Sequence, residues 1–418
     1  MQIFAASYLL PISAPPLAGG ALAIDNGRIV DTGTLAELRA AHKAPVHEFP
    51  GCVIMPGLVN AHTHLELTHF PSWKIRKDID YAPRTYVDWV IQVIKIRRNL
   101  TPQELELSVH EGFRISLESG TTALGEILSD RALLPLYAAS PFSGRLFLEA
   151  IGHDPVQCSL LLARIGESLE AFPCGNLLPG LSPHAPHTLS SAFLQDIKRL
   201  ADKKSLPIAI HLAESREESA FLHDTSGKIA ELLYPFVHWE AYLPPPRRTT
   251  PTAYLDDLGA LDSATMAVHC VHVTGADAEI LKKRGVSVVL CPRSNEKLDV
   301  GKAPAYLLKK AGIPLALGTD SLASNDSLSM WDEMRFLRRE FPGVFTPAEV
   351  LAMATLEGAR ALRVESDTGS LEKGKRGDFL VVKPSAPASP TDLPEALIEE
   401  SQLEEVFIGG NPLEYRLR

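Results

Sequence analysis

The chain is poor in cysteine: Cys52, Cys158, Cys174, Cys270 and Cys291 are its only five, and no two form a C-x-x-C pair. An odd, scattered set of thiols excludes a disulfide framework and a cysteine-ligated zinc site, and it suits a reducing compartment. Long apolar runs are missing too. No stretch of 18 or more apolar residues occurs, so no spanning helix is expected. The opening "MQIFAASYLLPISAPPLAGG" has no basic leader, and Pro11, Pro15 and Pro16 interrupt its apolar stretch, which argues against an export signal. Nor is there a surplus of basic residues. The formal charge of −10 speaks against nucleic acid as a partner, because such proteins carry a basic face. Internal repeats and low-complexity tracts are absent, and "PSAPASPTDLP" reads as a linker. The expectation is a cytoplasmic protein without membrane or nucleic-acid partners.

What is present is core material. Hydrophobic residues make up 45% of 418, enough for one large domain and a small one. Residues 1–55 read as short strands and turns, with a hairpin signal at Asn26-Gly27. From residue 52, apolar runs of strand length alternate with amphipathic segments. The strand candidates are "CVIMPGLVNAH", "TTALGEI", "RLFLEAIG", "LLPGLSPHAP", "PIAIHLAE", "MAVHCVHV", "VSVVLCPRSN" and "IPLALGTDS". Helices are expected at 84–118, 190–204, 274–284, 303–311 and 327–340, and a long loop at "YLPPPRRTTPTAY" (242–254). Eight continuously apolar strands alternating with helices predict an α/β fold, a (β/α)8 barrel over 56–365. Strand-and-turn texture returns at 366–418, so both chain ends are expected to build one small flanking β domain.

Barrels of this kind carry their sites at the C-terminal ends of the strands. Those ends hold His62 and His64, His184, His211 and Glu214, His269, and Asp320. A buried imidazole or carboxylate costs ~2–7 kcal/mol when unsatisfied, so polar residues there need partners or a ligand. His62 and His64 stand at i and i+2 on one strand and therefore share a face. With His211 and Asp320 they form a three-histidine, one-carboxylate set suited to one Zn²⁺, with Fe²⁺ and Mn²⁺ open by donor type. Such an ion lowers the pKa of a bound water towards ~7. Taken singly, each element has an ordinary alternative. An H-x-H pair arises readily among 14 histidines, and Asp320 could cap a helix at "DSLASND". Their joint placement at strand ends is what points to a site.

The motifs "MPGLVNAHTHLEL", "SPHAPHTLS", "IHLAES", "AVHCVHV", "CPRSNEKL", "LGTDSLASNDSLSMWDEMR" and "GKRGDFLVV" resemble, in order along nearly the whole chain, those of the amidohydrolase superfamily. Within it, the chain is most similar to the cytosine-deaminase-like and chlorohydrolase-like branch. The resemblance implies metal ligands His62, His64, His211 and Asp320. It also implies that Glu214 shuttles protons to the substrate ring and leaving group, while His269 and Asp320 take the proton of the attacking water. Binuclear relatives bridge two ions with a lysine of the fourth strand. Here no lysine lies between Lys95 and Lys198, so one ion per chain is expected.

The implied reaction is hydrolytic deamination of a heterocycle, a C–N bond cleavage at a cyclic amidine. His184 resembles a ring-contacting residue of nucleoside deaminases, and Ser294 and Asn295 are candidates for a further ring contact. Relatives acting on methylthioadenosine carry a ribose-binding glutamate shortly after a tryptophan. After Trp89 this chain has Arg97 and Arg98 instead, which suggests an anionic substrate group. Glu149 is the candidate for holding a ribose diol, with Arg145 beside it. Glu66 is a pocket candidate with no assigned role, and His69 falls outside the ligand set. "NAHTHLEL", "FLEAIG" and "CPRSN" resemble the branch deaminating 6-aminodeoxyfutalosine on the futalosine route to menaquinone. The alternatives are a 5′-methylthioadenosine/S-adenosylhomocysteine deaminase and a chlorohydrolase-type enzyme. A homodimer stays open.

Overall fold

The structure is a computed structural model and describes residues 1–173 and 175–413. Cys174 and the last five residues of the final strand-and-turn stretch lie outside the described residues. Eight parallel strands form the barrel in sequence order: Leu58–Thr63, Thr121–Leu128, Ser143–Ala150, Leu177–Pro183, Ile208–Leu212, Thr265–His269, Ser287–Leu290 and Leu315–Leu317. A bridge between Thr63 and Asp320 and the bond from Asp320 N–H to the His62 carbonyl (3.0 Å) join the eighth strand to the first. Gly318 permits this seam, since a Cβ there would come within 2.8 Å of His62. The expected (β/α)8 architecture is therefore present. Small and branched side chains such as Ala61, Ala123, Ala209, Val268 and Ala316 fill the barrel interior, and Ala359, Leu362 and Val364 belong to the same cluster. A larger apolar layer lies between the strands and the surrounding helices.

The second sheet interleaves the two chain ends. Its strands run in the order Asn411–Pro412, Ser401–Ile408, Phe379–Pro384, Val46–Pro56, Gln2–Leu9, Gly20–Asp25 and Arg28–Thr34. The hairpin at Asn26-Gly27 forms with both residues at positive φ (49° and 79°), as a tight two-residue turn requires. Phe379 from one end stacks on Phe407, with ring centroids 4.4 Å apart, and Phe4 from the other end packs against both.

Three local expectations change. The run "CVIMPGLVNAH" is two strands rather than one: Val46–Pro56 belongs to the small sheet and Leu58–Thr63 to the barrel. Gly57 makes the transfer, where a Cβ would lie 2.0 Å from the Thr122 hydroxyl. Residues 84–118 split into helices Tyr86–Arg97 and Pro102–Glu118, because Thr101 and Glu104 close a reciprocal capping box at the break. The proline-rich loop ends early, with Thr250 capping a short helix, Pro251–Asp257. Among the described residues no helix is long and apolar enough to cross a membrane.

Candidate active site

The first strand is buried along its whole length and delivers His62 and His64 to the barrel mouth. Their Nε2 atoms are 3.2 Å apart, and Asp320 Oδ1 lies 3.6 Å from the first and 3.5 Å from the second. His211 completes a cluster in which one ligand-type nitrogen of each imidazole lies within 4.8 Å of the others. The His211 ring hydrogen-bonds through Nδ1 to the His184 carbonyl (2.9 Å). A carbonyl only accepts, so Nδ1 carries the proton and Nε2 presents a lone pair, as a metal-ligating histidine requires. The other carboxylate oxygen of Asp320 accepts from Ser294 Oγ and Ser324 Oγ, each at 2.7 Å. Its Oδ1 is thereby left for the imidazole cluster.

Burial works against charge throughout. It pushes His64 down to about 3 and depresses His62 and His211 as well, so all three imidazoles are neutral donors. Asp320 is buried too, yet its contact with His62 leads the interactions that hold its carboxyl well below the usual range. Three neutral nitrogens and one ionised carboxylate are the donor chemistry of a divalent first-row ion, and these residues fit one. Backbone strain accompanies the site. Ala213, His269 and Asp320, at the ends of strands five, six and eight, all sit at positive φ (50°, 69° and 58°), an uncommon setting for side-chain-bearing residues.

Glu214 lies beside the cluster. Its Oε2 accepts from the Tyr86 hydroxyl at 2.9 Å, and its Oε1 lies 3.7 Å from His269 Nε2. Burial raises its pKa. His269 Nδ1 is 2.9 Å from Asn295 Oδ1 and donates to it, leaving a buried Nε2 without a hydrogen-bond partner and facing Glu214. Glu218 fixes the turn that carries Glu214, since its carboxylate accepts the backbone N–H groups of Ala213 and Glu214 at 3.0 and 3.1 Å. Tyr86 and Glu218 were not singled out from the sequence. Glu218 had a signal, the S-x-x-E spacing from Ser215 that marks a helix start. Tyr86 had none beyond lying three residues before Trp89.

A cavity opens to solvent over these groups. His64, His184, His211, Glu214 and Asp320 form its polar floor, and Leu67, Trp89, Val90, Val93, Ile94, Ile151, Leu233, Val237 and Trp239 supply apolar wall. Glu149 and Arg97 also line it. Burial opposes the Glu149 charge, but its neighbours, His184 foremost, hold the carboxyl below its ordinary range. His184 Nδ1 is 3.1 Å from the Thr188 hydroxyl. Arg97 is ion-paired through Nη1 to the fully buried Glu66 at 2.8 Å.

Other candidates lie elsewhere. Arg145 is four residues before Glu149 on one strand, so about 13 Å separates them along the strand. Its guanidinium donates to the carbonyls of Leu362, Pro179 and Arg363, at the end opposite the site. Arg145 is therefore a structural tie and not a substrate contact. Arg98 sits over the Phe236 ring, 5.0 Å from its centroid, and is not part of the cavity lining. Ser294 and Asn295 bond to Asp320 and His269 rather than facing a substrate ring. His69 starts the helix Phe70–Arg76, and its ring lies against Trp73.

The sequence profile described as amidohydrolase family matches residues 53–413. The chain belongs to the amidohydrolase family. Among the relatives of this amidohydrolase is the 5-methylthioadenosine/S-adenosylhomocysteine deaminase of Moorella thermoacetica. It is 31% identical, with 97% of this chain and 92% of that protein aligned. A zinc-bound adenosine deaminase from Xanthomonas campestris is 28% identical, with a TM-score of 0.78 over 98% of this chain and 92% of that one. The aminofutalosine deaminase of Helicobacter pylori shares the fold, with a TM-score of 0.85 at 22% identity over 99% and 100% of the two chains.

Proposed function

We propose that this amidohydrolase is a hydrolytic deaminase of adenine nucleosides whose 5′ substituent is apolar and uncharged, with 5′-methylthioadenosine as the type substrate. The observation that carries the substrate half is the cavity wall. Its side chains are mostly hydrophobic, and Arg97, the one cation among the described lining residues, is ion-paired to Glu66. The reaction half rests on the floor, and the named activities of the relatives support it.

His62, His64, His211 and Asp320 would hold one Zn²⁺, which would supply a bound water of lowered pKa as the nucleophile. The remaining steps belong to the protein. His269 Nε2 and Asp320 take the proton of the attacking water. Glu214, whose neutral form burial favours, gives its proton to the ring nitrogen, takes the proton of the new ring hydroxyl as the carbonyl forms and passes it to the leaving amine, and the proton held by His269 and Asp320 then returns to it. His184 orients the ring, and Glu149 accepts from the ribose hydroxyls. The apolar wall receives the 5′ substituent and excludes water from the reacting carbon.

A second reading, 6-aminodeoxyfutalosine, draws on one observation: the Arg97 guanidinium does line the cavity, near Trp89, where an aryl carboxylate would meet both. An ammonia-release panel of 5′-methylthioadenosine, 5′-deoxyadenosine, adenosine and the benzoate-bearing nucleoside separates the two. Methylthioadenosine is expected to have the highest kcat/KM, by 10-fold or more over the benzoate. The reverse order would establish the second reading. Chloride release from a chlorotriazine, without turnover of any adenine nucleoside, would overturn both.

A further inference from the structure

Glu66 has no part in the proposed chemistry, yet it is a fully buried carboxylate directly behind the cavity wall. Its partner is Arg97, whose side chain remains 28% exposed where it reaches the cavity. A guanidinium at a pocket wall is ordinarily a carboxylate receptor, because its planar fork pairs both oxygens. Here one Nη is ion-paired at 2.8 Å with Glu66 Oε1, and Glu149 lines the same cavity. An incoming anion therefore competes with Glu66 for this cation, in a cavity that Glu149 also lines. It would also have to leave water for a largely apolar cavity, which is costly without a partner.

We infer that Glu66 is a specificity-determining residue: by engaging Arg97 it makes the cavity select against nucleosides with an anionic 5′ substituent. The inference rests on the nucleoside-deaminase reading and adds the charge class of the substrate. Loss of Glu66 would leave the Arg97 fork free to receive a substrate carboxylate, and substrate preference would move towards acids. Glu66 touches neither substrate nor the reacting atoms and acts through Arg97.

The test compares two nucleosides that differ in charge alone, 5′-carboxymethylthio-5′-deoxyadenosine and its carboxamide. The readout is the acid-to-amide ratio of kcat/KM. In Glu66→Gln the ratio is expected to rise by roughly 10-fold or more over wild type, the value of a hydrogen bond to a charged group. In Glu66→Gln/Arg97→Gln it is expected to return to within about threefold of wild type. Arg97→Met, which does not depend on folding of the Glu66 variant, is expected to lower the ratio less than about threefold. An unchanged ratio in Glu66→Gln would overturn the inference. So would a 10-fold fall in Arg97→Met, which would mean that Arg97 already receives the substrate. Wild-type enzyme that deaminates neither nucleoside nor methylthioadenosine would instead overturn the functional reading.

Discussion

Replacing Tyr86 with Phe removes one hydroxyl and should move one limb of a pH profile. Tyr86 donates to Glu214 Oε2 at 2.9 Å, and both groups are buried. Burial pushes the Tyr86 hydroxyl well above its ordinary pKa, so it stays a neutral donor across the working pH range. A hydrogen bond to an ionised carboxylate is worth ~1.5–3 kcal/mol, and one to a neutral acceptor ~0.5–1.5 kcal/mol. Tyr86 therefore favours the ionised form of Glu214 by ~1–1.5 kcal/mol, about one pKa unit at 1.36 kcal/mol per unit.

The sign is fixed by this difference. Burial raises Glu214, Tyr86 pulls it back, and loss of Tyr86 lets it rise further. If protonated Glu214 delivers the proton to the ring, activity is lost as pH rises through its pKa, and this limb moves upward in Tyr86→Phe by about one unit. The assay is kcat/KM for methylthioadenosine against pH, followed by the absorbance change from adenine to hypoxanthine nucleoside, with metal content measured in parallel. A limb that stays in place or moves to lower pH, in enzyme of unchanged metal content, would refute the reasoning.

Glu214→Gln is expected to keep its metal while losing ~10²–10⁴ in kcat, the share of a general acid–base group, and elemental analysis beside a turnover assay checks both. Metal analysis of the purified enzyme should find one ion per chain, since no lysine is available for a bridge in strands two to four; two ions would sink that argument. Arg145→Met should destabilise the protein by ~3 kcal/mol or more in denaturant titration while leaving KM within about twofold. Three carbonyls lose a donor at the far end of the barrel, and unsatisfied buried acceptors cost ~1–3 kcal/mol each.

Much of the site was legible because its grammar is local. A strand alternates its faces, so the i, i+2 spacing put His62 and His64 side by side before any fold was known. The alternation of apolar strands with helices called for a barrel, and a barrel gathers strand ends at one mouth, which brought His211, Glu214, His269 and Asp320 to the same place. The hairpin at Asn26-Gly27 was equally local.

Contacts across elements were not legible. Arg145 and Glu149 looked like neighbours, but a strand advances ~3.3 Å per residue and carries them to opposite ends of the barrel. Ser294 and Asn295 were expected at the ring, yet the helix they start, Pro292–Lys297, directs them at Asp320 and His269. Tyr86 reaches Glu214 across 128 residues, and Leu233, Val237 and Trp239 arrive at the cavity from a segment with no motif of its own.

The pair Glu66 and Arg97 shows the division most clearly. The residues and their charges are written in the sequence, where Arg97 suggested a receptor for an anion. Whether that charge is available depends on a partner 31 positions away at 2.8 Å. Local spacing and apolar patterning thus pointed to the barrel and to the histidine pair at the end of its first strand, and the resemblance supplied the proposed acid–base residues. Folding alone decided which charges meet one another, because a Coulomb interaction follows distance in space and burial rather than separation along the chain.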